Sequence, residues 1–208
     1  MEKKIVYPRD VIYPDDQTPK QIDAVNSAEM VDSQEAAKYA ALSYLGYSIP
    51  SKVVIVKDSS KNERMVRKYS YPFKISINLE GTGGPSGGLI FAIGIVEKLS
   101  PQDFMRGRKV AGTGTIDTSG IVGAIGSIDE KMIAAKKAGA SIFLAPADNC
   151  KDIGHIPSGL KVYIVENLSD AISALKNPKK WCGISTSLWL AAGNCRKKFT
   201  DCTWQGIR

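Results

Sequence analysis

The chain has 208 residues, 43% of them hydrophobic and 24% charged, which is the composition of a globular protein with one sizeable core. Its net charge of +7 is compatible with an anionic partner, but the charge is unevenly distributed. Residues 177–208 hold six basic residues and one acidic residue, so the rest of the chain carries only +2. This distribution argues against a nucleic-acid-binding body.

Neither end of the chain predicts a membrane segment. The N-terminal sequence "MEKKIVYPRD" has no apolar stretch of the kind found in signal peptides, and residues 1–17 predict an extended, proline-rich arm. The longest apolar stretches, "GGLIFAIGIV" and "GIVGAIGSI", are far shorter than the roughly 20 residues that a helical span needs. An anchor upstream of the printed chain remains compatible with these observations.

The first predicted element is a helix that begins at Thr18. Pro19 follows at the first helical position and Gln21 stands three residues after Thr18, which is the pattern of a capping box. Apolar residues recur at helical spacing in "SQEAAKYAALSYLGY", and Gly46 is a natural stop for the helix. We therefore divide the chain into an N-terminal arm and helix (1–50), a central domain (51–176) and a tail (177–208).

Two strands and a helix are predicted around a glycine-rich loop. "KVVIVK" (52–57) is one strand, and "FKISINLE" (73–80) alternates apolar and polar residues as a half-buried strand does. In "LEGTGGPSGGLIFAIGIVEKL" six glycines surround Ser86, and a helix follows from about Ser86 to Leu99. The residues expected on its buried face are Leu89, Ala92, Ile93 and Val96.

The remainder of the central domain mixes strands and helices. The predicted elements are a strand at 108–116, a turn at 117–120, a glycine-broken strand or loop at 120–128, a helix from 129 that ends at Gly139, strands at 141–146 and 161–166, and a helix at 168–175. No internal repeat is visible. This mixture predicts an α+β (mixed α/β) fold.

The tail differs sharply in composition from the domain before it, with a boundary at Asn177-Pro178. It holds all three tryptophans and three of the four cysteines, namely Trp181, Trp189, Trp204, Cys182, Cys195 and Cys202. Their spacing lacks the CxxC pairs of zinc sites, and disulfides depend on the compartment. We interpret the tail as an end without a role in the fold, with a docking segment as the alternative.

The loop around Ser86 raises a functional question, because glycine is costly in backbone entropy. Such a loop before a helix exposes N–H groups, and the helix dipole adds partial positive charge, so an anion is stabilised there. The loop alone leaves three interpretations open. It is a tight turn with Ser86 as helix cap, a phosphate site, or an oxyanion site with Ser86 as nucleophile.

A nucleophilic serine needs a base, and the sequence offers two candidates. The single histidine, His155, is flanked by glycine and proline in a predicted loop, which is typical of a surface histidine. Lys131 points along a stripe formed by Ala134, Ala135 and Ala138, whereas the other four charged residues of that helix point away. Its ammonium either extends into solvent or is partly buried with a lowered pKa, which would make Lys131 a candidate base.

Several motifs in order along the chain resemble one known family. "GTGGPSGG", "VAGTGTIDTSGIVGAIGSIDEKMIAAKKAGA" and "FLAP" resemble the proteolytic domain of the Lon proteases, over about residues 73–175. The resemblance implies a serine–lysine dyad, with Ser86 as nucleophile and Lys131 as base. It also implies a fold like domain 2 of ribosomal protein S5 and assembly into a hexameric ring.

The resemblance extends to residues around the dyad. Thr113, in "AGTGT", matches a threonine that supports the lysine, so we expect it to make a hydrogen bond that orients Lys131. The loop residues expected at the oxyanion site are Gly84, Pro85 and Gly87. Two departures from the family pattern are Gly87, where alanine is common, and Gly83, where many members carry an aspartate.

Lon proteases are usually fused to an ATPase, but the GxxxxGK[ST] phosphate loop is absent from this sequence. The chain therefore resembles the stand-alone bacterial Lon-like proteases, some of which carry a membrane helix and a PDZ module. "AEMVDSQEAAKYAALSYLGY" is similar to the region upstream of that module, and the step from Gly46 to Phe73 is too short for a PDZ domain. The resemblance implies an extracytoplasmic, membrane-anchored protein.

We expect a serine endopeptidase that cleaves unfolded or extracytoplasmic proteins and needs no ATP, metal or other cofactor. A catalytically silent scaffold that binds a partner or nucleic acid through the basic tail is the first alternative. The presence of both Ser86 and Lys131 argues against it. A small-molecule kinase of related fold is the second, with Glu80 as the nearby candidate for binding magnesium.

Overall fold

A computed structural model describes residues 18–57, 63–78 and 84–178. The predicted arm at 1–17, the loop residues Glu80 and Gly83, and tail residues 179–208 lie outside the described residues. In chain order the elements are α1 (Pro19–Tyr44), β1 (Ser51–Lys57), β2 (Glu63–Tyr69), α2 (Gly88–Leu99), β3 (Val110–Gly112), β4 (Thr115–Ile116), β5 (Val122–Gly123), α3 (Ile128–Lys137), β6 (Ile142–Pro146), β7 (Lys161–Val165) and α4 (Leu168–Lys176). Short 3₁₀ helices are formed by Pro85–Gly87 and Ala147–Asp152.

A parallel sheet with the strand order β3-β6-β7 separates two hydrophobic cores. The first core joins one face of the sheet to α1, α2 and α4, and Leu144 of β6 packs there with Ile93 of α2. The second core joins the other face to α3, and Phe143 and Ala145 of β6 pack there with Met132. Successive residues of β6 thus serve opposite cores, as strand geometry requires. The mixture of helices and strands confirms the predicted fold class.

The predicted start and end of α1 are confirmed. The Thr18 side chain accepts a hydrogen bond from the Gln21 N–H, and the Gln21 side chain accepts one from the Thr18 N–H, which completes the capping box. Gly46, with φ at +83°, follows the helix in the left-handed conformation typical of a stop. Ala37 and Ala41 of α1 belong to the first core, so this helix packs against the sheet domain.

The strand predicted at 73–80 is wrong over its described part. Residues 73–78 are extended but are assigned to no strand, while Ile75 and Ile77 pack against the first core. Alternation shows which side of an extended segment is covered, and it does not require a hydrogen-bonded neighbour. β1 pairs instead with β2, antiparallel, with Val54 opposite Val66. The charged sequence of β2 gave no signal, because this two-stranded ribbon is largely exposed.

The strand predicted at 108–116 is divided into β3 and β4 by Thr113 and Gly114. The Thr113 N–H still reaches the Leu144 carbonyl of β6 at 3.0 Å, but Gly114 turns away with φ at +150°. β4 then forms a short antiparallel ribbon with β5. β5 is the only strand that the described structure has within the strand or loop predicted at 120–128. The interruption directs the Gly114 N–H away from the sheet, toward the loop of Ser86.

The other predicted elements are confirmed within a few residues of their expected bounds. α2, α3, β6, β7 and α4 form, and α2 buries the four residues assigned to its inner face. The turn predicted at 117–120 is closed by Asp117, whose carboxylate accepts hydrogen bonds from the Ser119 and Ile121 N–H groups.

Gly88, the first residue of α2, is packed tightly against two neighbouring elements. A Cβ atom at this position would lie 2.9 Å from the Ser33 hydroxyl oxygen of α1 and 2.9 Å from Ile116 Cγ2 of β4. Gly94, in the same helix, has no atom within 4 Å of the corresponding position. The two glycines therefore form a matched pair for testing the packing of α2.

We expect Gly88→Ala to lower the free energy of unfolding by about 1–3 kcal/mol, because the added methyl group overpacks the junction. Gly94→Ala should raise it by about 0.5–1 kcal/mol, because alanine is the better helix former in open space. Urea unfolding followed by circular dichroism measures both changes. A Gly88→Ala variant as stable as the wild type would contradict the close packing.

Candidate active site

The carbonyl of Ser86 is held by the interruption between β3 and β4. Ser86 lies in the 3₁₀ helix Pro85–Gly87, directly before α2. Its carbonyl oxygen accepts hydrogen bonds from the Gly114 N–H at 2.8 Å and from the Thr113 hydroxyl at 3.0 Å. The Thr113 side chain is buried, which makes this contact part of the domain interior. The serine backbone is thereby fixed to the residues that directly follow β3.

A second set of contacts ties the same loop to α1. The Ser33 hydroxyl donates to the Pro85 carbonyl at 2.9 Å, and the Gly84 N–H donates to the Asn26 carbonyl at 3.0 Å. The sequence reasoning missed Ser33. Helical spacing could have indicated it, because Ser33 lies between Met30 and Ala37 on the same buried face of α1.

The structure brings Lys131 to Ser86. Lys131 is the fourth residue of α3, and its Nζ donates a hydrogen bond to the Ser86 Oγ at a distance of 2.9 Å. The lysine side chain is half-buried, and this burial lowers its pKa from the ordinary value. A lysine with a lowered pKa is more readily neutral, which is the form that can accept a proton.

The helix-cap interpretation of Ser86 does not fit this geometry. The N-cap of α2 is Gly87, which has no side chain, so the Ser86 hydroxyl does not cap the helix. His155 is exposed in the loop after the second 3₁₀ helix, and the described partner of the Ser86 hydroxyl is Lys131. Of the two candidate bases, Lys131 is therefore the one that the described residues bring to Ser86.

The alanine stripe predicted around Lys131 is only partly correct. Ala135 is buried, but Ala134 and Ala138 are exposed, and the buried face of α3 is formed by Ile128, Met132 and Ala135. Lys131 lies at the border of this face. The prediction failed because it began the helix at Asp129 and so left out Ile128, which turns the buried face toward Met132. Half-burial of Lys131 results from that border position together with the contact to Ser86.

Comparison with known proteins decides the family. A family model described as the Lon protease (S16) C-terminal proteolytic domain matches residues 57–176, which is more than half of the chain. The chain belongs to the Lon protease family. This membership favours the protease interpretation over the small-molecule kinase, whose candidate magnesium ligand Glu80 lies outside the described residues.

Curated relatives agree with the match. The Lon protease of Citrifermentans bemidjiense is 38% identical over 99 residues, which are 46% of this chain and 12% of the relative. Lon protease 1 of Bacillus subtilis is 36% identical over 102 residues, covering 47% and 13%. The Lon protease of Desulfosudis oleivorans is 27% identical over 155 residues, covering 73% and 18%. The chain thus spans less than a fifth of the length of these relatives.

Within this Lon domain Thr113 contacts the serine and not the lysine. Its hydroxyl donates to the Ser86 carbonyl, so the expected hydrogen bond to Lys131 is not formed by the described atoms. The physical reason is position. Thr113 directly follows β3, whereas Lys131 is carried by α3, which packs on the second core. Any support that Thr113 gives to the dyad acts through the serine backbone.

The expected oxyanion residues also need correction. Pro85 has no N–H, and the Gly84 N–H is engaged by the Asn26 carbonyl. Of the predicted set, the Gly87 N–H is the one that these contacts do not exclude. A Cβ at Gly87 would lie 2.6 Å from the end of the Phe91 ring, so an alanine there requires that ring to shift.

The described residues contain neither a membrane-spanning helix nor a metal-binding cluster. No helix there combines the length and apolarity needed to cross a bilayer. No group of three or more His, Cys, Asp or Glu side chains in this part of the chain could hold a metal ion.

We expect the Lys131 ammonium to titrate below the ordinary lysine value of about 10.4, because burial disfavours its charged form. The measurement is a carbon-13 NMR titration of lysine-labelled protein, with the signal assigned by its loss in Lys131→Arg. In urea the midpoint should return to the ordinary value. A folded-state midpoint at or above 10.4 would contradict the burial of this side chain.

Proposed function

We propose that this Lon domain is a serine endopeptidase in which Ser86 is the nucleophile and Lys131 the general base. The observation that carries the proposal is the 2.9 Å contact between Lys131 Nζ and Ser86 Oγ, made by a half-buried lysine whose pKa is lowered. A serine hydroxyl is a weak nucleophile unless an adjacent base takes its proton. Lys131 supplies that base without a histidine or a carboxylate.

The reaction follows from this pair. Neutral Lys131 accepts the proton of the Ser86 hydroxyl as the oxygen attacks the peptide carbonyl, and the resulting ammonium then protonates the leaving amine. Water, deprotonated by the same lysine, hydrolyses the acyl-enzyme and releases Ser86. We assign stabilisation of the oxyanion to the N–H groups of Ser86 and Gly87 at the start of α2, where the helix dipole adds partial positive charge.

We propose that the polypeptide substrate lies in an apolar groove of about 470 Å³ between residues 73–77 and α2. The apolar α2 residues that line it include Ile90, Phe91, Ile95 and Leu99. Phe91 also borders Gly87, so one end of the groove is close to the nucleophile. The extended segment 73–78 is assigned to no strand, and such a segment can pair with a substrate through its main chain.

Independence from ATP belongs to the same proposal. The dyad contact is made by residues within one domain, and the printed sequence has no phosphate-loop motif. Assembly into a hexameric ring and an anchored, extracytoplasmic location remain predictions from the resemblance. A silent scaffold remains the alternative, and it is distinguished by the activity measurements below.

We expect Ser86→Ala and Lys131→Ala each to abolish cleavage of casein by the wild-type chain. The double variant should be no worse than either single variant, because the two residues act as one unit. Lys131→Arg should be inactive at every pH, because a guanidinium does not deprotonate in this range.

His155→Ala is the matched control for these variants and should retain wild-type turnover, because His155 is exposed and away from the serine contact. Near-normal turnover in Lys131→Ala would rule out the lysine as base. An inactive wild type with intact folding would favour the scaffold.

We expect EDTA and removal of ATP to leave peptide cleavage unchanged, because the proposed chemistry uses only the serine, the lysine and backbone N–H groups. The measurement compares hydrolysis of a fluorogenic peptide before and after each treatment. Ser86→Ala provides the background rate. A large loss of the Ser86-dependent rate in EDTA or without ATP would contradict the proposed mechanism.

A further inference from the structure

Three polar side chains are buried in the part of the chain that the structure describes, and all three form hydrogen bonds with the backbone near the dyad. They are Ser33, Thr113 and Asn149, between 2% and 5% exposed. Ser33 and Thr113 bond to the carbonyls of the serine loop. Asn149, in the 3₁₀ helix Ala147–Asp152, bonds instead to the segment that leads into α3. The lysine side of the dyad thus has its own buried polar contact.

Asn149 holds both backbone groups of a single residue. Its Oδ1 accepts a hydrogen bond from the Ile125 N–H at 2.8 Å, and its Nδ2 donates one to the Ile125 carbonyl at 2.7 Å. Nδ2 also donates to the Asp152 carboxylate at 2.9 Å, which fixes the amide orientation. A carboxylate accepts only, and an apolar side chain does neither, so an amide is the side chain that suits both groups.

The residue held in this way lies just before the helix of the lysine. Ala124, Gly126 and Ser127 are exposed around Ile125, which packs against the second core. Ser127 is the N-cap of α3, but its side chain makes no capping hydrogen bond, and its φ is +57°. A non-glycine residue in that conformation is strained and needs support from its surroundings. Two residues before Ser127, the Asn149 side chain holds the backbone of Ile125.

We propose that Asn149 is a positioning residue for Lys131: it fixes the start of α3 so that the lysine stays in reach of Ser86. The catalytic meaning of this inference rests on the proposed function, but the geometric claim does not. A second contact between the same two segments, from the Gly154 N–H to the Asp129 carboxylate at 3.1 Å, agrees with it. Without Asn149 the two backbone groups of Ile125 lose their buried partner, and the segment that leads into α3 loses this side-chain contact.

The chain offers a matched control in Asn167, the N-cap of α4. Its Oδ1 accepts from the Asp170 N–H at 2.8 Å and its Nδ2 donates to the Asp170 carboxylate at 3.1 Å. The asparagine therefore makes the same kinds of contact at the start of a helix that carries neither dyad residue. Asn167→Ala reports what loss of such an amide costs the fold alone.

The experiment compares Asn149→Ala with Asn167→Ala in the full 208-residue chain. A third variant, Asn149→Asp with Asp152→Asn, exchanges the two groups so that they can still bond to each other, while position 149 loses its donor to the Ile125 carbonyl. This double variant replaces Asn149→Ala in the comparison if Asn149→Ala does not fold. Each variant is measured for melting temperature, for kcat and KM on a fluorogenic peptide, and for the NMR titration midpoint of Lys131.

In Asn149→Ala we expect kcat to fall roughly 10–100-fold with KM little changed, because a displaced base slows chemistry more than binding. The Lys131 midpoint should rise toward the ordinary value, because burial alone lowers it and a displaced lysine is more exposed. The exchanged pair should move in the same directions by a smaller amount. Asn167→Ala should lower the melting temperature and leave both the midpoint and kcat unchanged.

The inference is overturned if a folded Asn149→Ala, or the exchanged pair in its place, keeps the wild-type Lys131 midpoint. It is also overturned if Asn167→Ala moves that midpoint as far. These readouts do not depend on peptide cleavage. An inactive wild-type chain therefore defeats the proposed function while the titrations still decide the role of Asn149.

Discussion

The hydrogen bond between Ser86 and Lys131 joins side chains from two different layers of the domain. Ser86 precedes α2, which packs on the first core, whereas Lys131 is carried by α3, which packs on the second. A distance of 2.9 Å between them is kept only if both layers are fixed to the sheet. β6 makes this possible, because its residues 142–145 alternate between the two cores.

The buried polar side chains follow from this requirement. A polar group removed from water costs free energy unless it is hydrogen-bonded, so apolar residues are the ordinary choice for an interior. Here Ser33 and Thr113 satisfy carbonyls of an irregular turn, and Asn149 satisfies both backbone groups of Ile125. Irregular backbone places its own donors and acceptors inside the protein, where no strand or helix partner meets them. The side chains that pair with them also make the turn rigid.

Burial of Lys131 has opposite consequences for chemistry and stability. Burial lowers the lysine pKa, so the neutral form needed for proton abstraction is more accessible. Because the unfolded chain keeps the ordinary value of about 10.4, it binds more protons than the folded chain between the two pKa values. Stability therefore rises with pH across that interval, and below it the buried lysine is a cost that the rest of the fold offsets. The hydrogen bonds around Ser86 and Ile125 are part of the stabilisation that offsets this cost.

The elements with local signals could be predicted from the amino-acid sequence. The capping box at Thr18 and the buried face of α2 could be read from spacing alone, and the family motifs indicated Ser86 and Lys131. Only the tertiary structure decided which groups those elements bring together. Thr113 bonds to the serine carbonyl, Asn149 holds the approach to α3, and residues 73–78 remain unpaired despite their alternation. Local periodicity reports the exposure of one segment, whereas a hydrogen-bond partner depends on where distant segments cross, and that is set by the packing of two cores against one sheet.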